Sequence, residues 1–225
     1  MKVNLTIPTS YSDITIEQYQ RFFNIADNND EGDFLNQKTI EILCNTDKAH
    51  LLPYNDTIDI LNIISETFKS QPKHLQTFKI DNVEYGFIPN LDDMTFGEYI
   101  DINNYIDKVE DFHKALAVLY RPITAKFKNM YDIEPYKGSD VYAFQMKKAP
   151  LEAILGAKVF FYNLANELLK VTADSIQDLP KEMVQTIQQR LNLANDGDGI
   201  NQFTDLLKEM LDDSMKLQNS MCIPA

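Results

Sequence analysis

The chain has 225 residues, 44% hydrophobic and 24% charged, enough for one large domain or two small ones with a core that needs no metal or disulfide staple. Its formal net charge is −13, and its only arginines are Arg21, Arg121 and Arg190. A surface that neutralises phosphates needs a positive excess, so this balance argues against general nucleic-acid binding and for protein partners.

No stretch approaches the roughly 18 apolar residues of a membrane span, and the start MKVNLTIPTS lacks the apolar centre of a signal peptide. The expectation is a soluble protein that is neither exported nor membrane-bound. Cys44 lies in an apolar run and reads as a buried core thiol; with Cys222 it offers neither zinc nor redox spacing.

Two segments are nearly the same phrase: DITIEQY at 13–19 and DMTFGEY at 93–99. Each has the form of a helix start. Thr15 and Thr95 are the caps, Gln18 and Glu98 reach back to the cap amide, and Ile14 with Tyr19, then Met94 with Tyr99, supply the hydrophobic staple. The repetition is therefore local folding grammar, without need of a duplicated binding site.

Between these phrases, helical spacing recurs in FLNQKTIEILCN and TIDILNIISETFK. TDKAHLLPYND predicts a short helical turn closed by Pro53, with Asp56 or Thr57 capping the next helix. The period then changes: QTFKIDNVEYGFI alternates about Asp81-Asn82 and predicts a two-stranded hairpin. After the second phrase the pattern is helical, with a break near Asp107, and stops before Pro122.

Residues 121–138 read as the longest irregular stretch. Helical spacing resumes at Ser139, and APLEAILGAKVFFYNLANELLKVT predicts the core helix, with Phe160, Phe161, Leu164, Leu168 and Leu169 on its apolar face. Beyond it, Met183, Val184, Ile187 and Leu191, then Phe203, Leu206, Leu207, Met210 and Leu211, outline a helical hairpin about Gly197 and Gly199.

The predicted fold class is mainly α, a multi-helix bundle with one small β-hairpin at about residues 77–88. Residues 1–76 form an N-terminal helical layer, 77–172 the hairpin plus central helices in one domain with it, and 173–225 a C-terminal helical hairpin.

Chemistry-bearing patterns are incomplete. Asp196 and Asp198 begin like a calcium loop, but the fifth position is Ile200 and the twelfth Leu207. Glu110 and His113 make one Glu-x-x-His pair where a carboxylate-bridged metal pair needs two. No phosphate-cradling glycine loop, nucleophile elbow or Cys-His arrangement occurs. The expectation is a non-enzyme with no cofactor, no metal and no catalytic residue. A small hydrolase using carboxylates such as Asp92, Asp93 and Glu98 is the alternative, and nothing nearby in the sequence would activate a nucleophile for it.

Residues 121–148 are the local exception to acidity: Arg121, Lys126, Lys128, Lys137, Lys147 and Lys148 alternate with Phe127, Tyr131, Tyr136, Tyr142 and Phe144. Two readings stay open. The aromatics pack inward under solvated lysines, or the segment is a docking surface, since arginine and tyrosine are favoured at interfaces. On the docking reading, Arg121, Lys126, Phe127, Lys128, Tyr131 and Tyr136 are the contact residues, with Phe203 and Met210 on the C-terminal hairpin as a second surface.

The order LTIPTSYSDITIEQYQRF, VEYGFIPNLDDMTFGEYIDI, HKALAVLYRPI and AILGAKVFFYNLANELLK, over roughly residues 3–170, resembles virion and tail-morphogenesis proteins of tailed bacteriophages, including crAss-like phages of Bacteroidales. The resemblance implies one of two roles. One is a connector or tail ring component retained in the virion, as one copy of a homo-oligomeric ring. The other is a tail assembly chaperone acting in the host cytoplasm. Either has other phage structural proteins as partners, and the resemblance assigns no site residue.

Overall fold

A computed structural model describes residues 4–177 except Glu31 and Asn129. The predicted C-terminal hairpin, with Phe203 and Met210, lies outside the described residues. The chain divides into two compact units, one comprising Met1–Ala157 and the other beginning at Lys158.

The first unit opens with α1 (Ile16–Asp27), α2 (Asp33–Leu43) and α3 (Tyr54–Lys69). Strands β1 (Thr77–Ile80) and β2 (Val83–Phe87) lead to α4 (Phe96–Tyr105) and α5 (Phe112–Leu119). Then follow β3 (Tyr120–Phe127), β4 (Met130–Ile133), α6 (Asp140–Met146) and the start of α7 (Leu151–Gln177), which continues into the second unit.

This corrects the expected helical bundle with one hairpin. The described residues form seven α-helices and a four-stranded antiparallel sheet in the order β1-β2-β3-β4, a mixed α/β fold. The β1–β2 hairpin forms about Asp81, whose φ is 54°. The other half of the sheet comes from the segment expected to be irregular. Pro122 masked it, since a proline inside a run reads against a strand. Pro122 sits where β3 leaves β2: residues 120–122 pair with β2, and from Ile123 onward the strand pairs with β4. The end of a ladder is where a missing N–H does least harm.

Both repeated phrases are capping boxes. Thr15 Oγ1 accepts from the Gln18 amide at 3.2 Å, and Gln18 Oε1 accepts from the Thr15 amide at 2.9 Å. Thr95 and Glu98 repeat the exchange at 3.3 and 2.7 Å. In α1 the remaining first-turn donors are also used: the Ile16 and Glu17 amides donate to the carbonyls of Ala149 and Lys147, each at 2.9 Å. A helix start thus meets the unpaired carbonyls that follow α6, satisfying both ends. Replacing Thr15 or Thr95 by alanine is expected to cost about 0.5–2 kcal/mol, and replacement by serine almost nothing, in chemical unfolding.

The start of α3 differs from the expectation. Pro53 is its cap, and Thr57 instead turns its hydroxyl back to the Pro53 carbonyl at 3.1 Å. Proline's preset φ makes the helix entry without a side-chain oxygen.

The central helix is α5, where Phe112, Ala115, Leu116, Ala117, Val118 and Leu119 are all buried. Only His113 and Lys114 of this helix are left half-buried, so nearly all of it lies inside. It passes into β3 with no connecting residue. Tyr19 is a second focus, fully buried, stacked on Phe112 at 6.3 Å and tilted against Phe68 at 6.2 Å. Tyr120 lies among Phe78 and Phe87 and donates its hydroxyl to the Leu75 carbonyl at 2.6 Å.

Of α7, the part in the first unit buries Leu151, Ala153, Ile154 and Ala157. The expected aromatic face is otherwise placed: Phe160 and Phe161, in the second unit, are only half-buried and meet edge to face at 5.5 Å. Aliphatic residues rather than aromatics carry the buried stretch of this helix in the first unit. Cys44 is buried as expected, and burial pushes its thiol up to about 11.

Candidate contact surface

The six candidate residues described between 121 and 136 divide into an internal clamp and an exposed arm. Arg121 begins β3 immediately after α5 and is 94% buried by its neighbours, 6% remaining exposed. Its Nη1 donates to Glu98 Oε1, and its guanidinium lies over the Tyr136 ring, 5.6 Å from the centroid. The Tyr136 hydroxyl donates to Asp101. So α4, β3 and the segment before α6 are pinned together by side chains expected to face a partner. The structure thus places Arg121, buried, and Tyr136, half-buried, in an internal joint.

Glu98 explains the one difference between the two capping boxes. Beyond its cap, Gln18 uses its amide nitrogen to donate to the Ile42 and Leu43 carbonyls at 3.1 and 3.4 Å. Glu98 uses its second oxygen to accept from Arg121. A donor is needed where helix α2 ends in carbonyls, and an acceptor where a buried guanidinium waits. Burial raises the Glu98 carboxyl, but the Thr95 hydroxyl and amide and then Arg121 outweigh it, leaving its pKa below the usual range.

Tyr131 is a third structural residue. Its ring lies across Gly86, where a Cβ would stand 2.9 Å from Tyr131 Cδ2 and 3.1 Å from Ile123 Cγ1, so only glycine leaves room. Its hydroxyl donates to the Phe87 carbonyl at 2.9 Å, with the Gln76 carbonyl 3.1 Å away sharing the same proton. Lys126 is exposed yet tied to Glu84 at 2.9 Å.

Phe127 and Lys128 behave differently. Past Ile123, residues 124–128 are all exposed, with Phe127 and its register partner Met130 exposed by 67% and 69%. Lys128 takes φ 54° in the turn and lies over the Phe127 ring at 5.5 Å. Met130 was not singled out by sequence reading, because the hairpin that pairs it with Phe127 was not recognised. Phe96 on α4 and Phe144 on α6 are exposed large apolar side chains as well.

The remaining chemical candidates are engaged or outside the described residues. The His113 Nδ1 lies 3.0 Å from Gln20 Nε2, which also donates to the Val109 and Glu110 carbonyls at 2.8 and 2.9 Å. Burial, then Lys147 and Lys114, hold the His113 pKa below its ordinary value. Asp93 accepts from the Asn90 side chain at 2.9 Å. Among the described residues no three His, Cys, Asp or Glu side chains are grouped to hold a metal, and no helix is long and apolar enough to cross a membrane. Asp196 and Asp198 fall beyond these residues.

Fold and surface together define an α/β protein with a buried ion pair, Arg121–Glu98, and an exposed apolar tip, Phe127 and Met130, on the β3–β4 hairpin. No protein-family model, curated protein or solved structure matches the chain.

Proposed function

We propose that this protein is a non-catalytic morphogenesis factor of a tailed phage, acting through protein–protein contacts as a connector or tail ring component or as a tail assembly chaperone. Its place is the virion or the host cytoplasm during assembly. The observation that supports a contact role is the β3–β4 hairpin, whose tip holds two large apolar side chains two-thirds exposed. Exposed apolar groups on a protruding element are the usual mark of a binding site. The hydrolase alternative is weakened because Glu98, one of its carboxylates, is committed to a helix cap and a buried ion pair.

Peptide mass spectrometry of purified particles of the encoding phage tests this. Peptides at a stoichiometry fitting a symmetric ring are expected for a connector or ring component. Their absence from particles, with recovery in complex with tail subunits from infected cells, is expected for a chaperone. A chain found in neither setting would overturn both.

A further inference from the structure

We propose that Gln20 and His113 form an acid-released latch between α1 and α5, closed while the His113 ring is neutral and opened when that ring takes up a proton. The inference is independent of the contact role proposed above.

The latch follows from which atoms can donate. Gln20 turns its side-chain nitrogen to three groups: the Val109 carbonyl at 2.8 Å, the Glu110 carbonyl at 2.9 Å and His113 Nδ1 at 3.0 Å. The two carbonyls only accept, so they fix the amide with its nitrogen toward them and its oxygen away. That nitrogen is a donor with two protons and no acceptor capacity. The Nδ1 atom facing it must then be the accepting nitrogen of the ring, which places the ring proton on Nε2 and leaves the imidazole neutral. A further proton on His113 goes to Nδ1 and sets donor against donor. Turning the amide over would offer the ring an oxygen, but the same oxygen would meet both carbonyls. Neither arrangement keeps all three contacts, so protonation parts the two side chains.

The surroundings do not compensate the charged ring. His113 is half-buried, and burial disfavours its charge most; Lys147, in the turn after α6, and Lys114, on its own helix, oppose it further. The Asp111 carboxylate and the Glu110 carbonyl favour the charge but are outweighed. Asp111 is already paired with Lys114 at 2.9 Å. From α1 the group in contact is the uncharged Gln20 amide.

The latch holds a joint of the core. Val109 and Glu110 belong to the short 3-10 turn Val109–Asp111 that leads into α5. Tyr19 and Phe112, the chain neighbours of Gln20 and His113, are stacked at 6.3 Å beside it. The start of α1 stays pinned by the Ile16 and Glu17 amides on the carbonyls of Ala149 and Lys147, so release concerns the turns after Tyr19. The direction is fixed by linkage. A ring that titrates lower when latched than when free binds more protons in the open state, so the latch is fully closed above about pH 6.5 and loosens as pH falls from there toward the latched value.

Hydrogen–deuterium exchange of the full chain is the test, with wild type and His113→Asn compared at the same pH so that intrinsic exchange rates cancel. Asparagine keeps an accepting oxygen near the place of Nδ1 and cannot be charged. From about pH 7.5 to about pH 5.5 the ratio of exchange rates, wild type over variant, should rise several-fold in α1 and in residues 109–119, with about tenfold as the limit for one proton. The ratio in α2 should stay constant. Nitrogen NMR of the histidine rings in the unaltered protein gives a second reading that needs no variant to fold: His113 should carry its proton on Nε2 at neutral pH and titrate below about 6.5. A flat ratio, a neutral ring protonated on Nδ1, or a His113 midpoint at or above the ordinary value each overturns the proposal.

Discussion

Replacing Arg121 by alanine is expected to destabilise the protein by about 3–5 kcal/mol, because it strands the Glu98 carboxylate in the interior without its cation. The loss exceeds that of a cap, since Thr95 would still hold one oxygen while the other faces the space vacated by the guanidinium. The Arg121–Tyr136 stacking goes with it. Glu98→Gln is expected to destabilise comparably, because an amide completes the capping box as Gln18 does but turns its nitrogen, a donor, onto the buried Arg121 guanidinium. The double variant Arg121→Ala/Glu98→Gln should recover part of the single loss, having no buried charge to strand. Urea unfolding of the three variants gives the coupling directly.

The pH dependence has a definite sign. In the parent, Glu98 has a folded pKa below its unfolded value, so its stabilisation is present above the ordinary carboxyl range and is lost as pH falls through the folded value. In Arg121→Ala, burial acts without the cation and favours the protonated form. The gap between parent and variant should therefore narrow on acidification below about pH 4.5. A gap that stays constant from pH 7 to pH 4 would contradict a buried ion pair as the cause.

Gly156→Ala is expected to cost about 2–3 kcal/mol, although alanine in a helix interior normally gains about 1 kcal/mol over glycine. The opposition of signs makes the experiment decisive. A Cβ on Gly156 would stand 2.6 Å from the Lys73 carbonyl carbon and 2.9 Å from His74 Cα, with the Lys73 carbonyl oxygen closer still. These are backbone atoms, which no rotamer change can clear. The segment before β1 runs directly over α7 at this point, and its relief requires moving the chain that leads into the sheet. Thermal unfolding that shows Gly156→Ala at or above parental stability would mean the close approach does not exist in solution.

Local signals were legible along the chain where their meaning depends only on near neighbours. The two capping boxes, the β1–β2 hairpin, the break near Asp107 and the helix end before Pro122 all rest on residues within a few positions of one another. The same local reading failed at residues 120–133. There residues 120–122 pair with β2, 33 residues earlier from Tyr120 to Phe87 and 37 from Pro122 to Tyr85, and a proline in the run hid the strand.

The candidate surface divides into internal and exposed residues for a related reason. Arginine and tyrosine at interfaces and in interiors have the same composition, and only the partner tells them apart. Arg121 finds Glu98 and Tyr136, and Tyr131 finds Gly86, across separations that no period reveals. Phe127 and Lys128 remain outside because the hairpin carries them beyond the end of β2.

The sequence by itself determined the two capping-box helix starts, the burial of Cys44 and the acidity of the chain, since propensity, capping and charge act locally or by simple sum. Only the tertiary structure decided that the protein is mixed α/β, that Glu98 and Gln18 serve different neighbours from equivalent positions, and which aromatics of the basic segment face outward. Strand pairing and buried charge pairing join residues far apart in the chain, and their free energy depends on a geometry that exists only after the chain has packed.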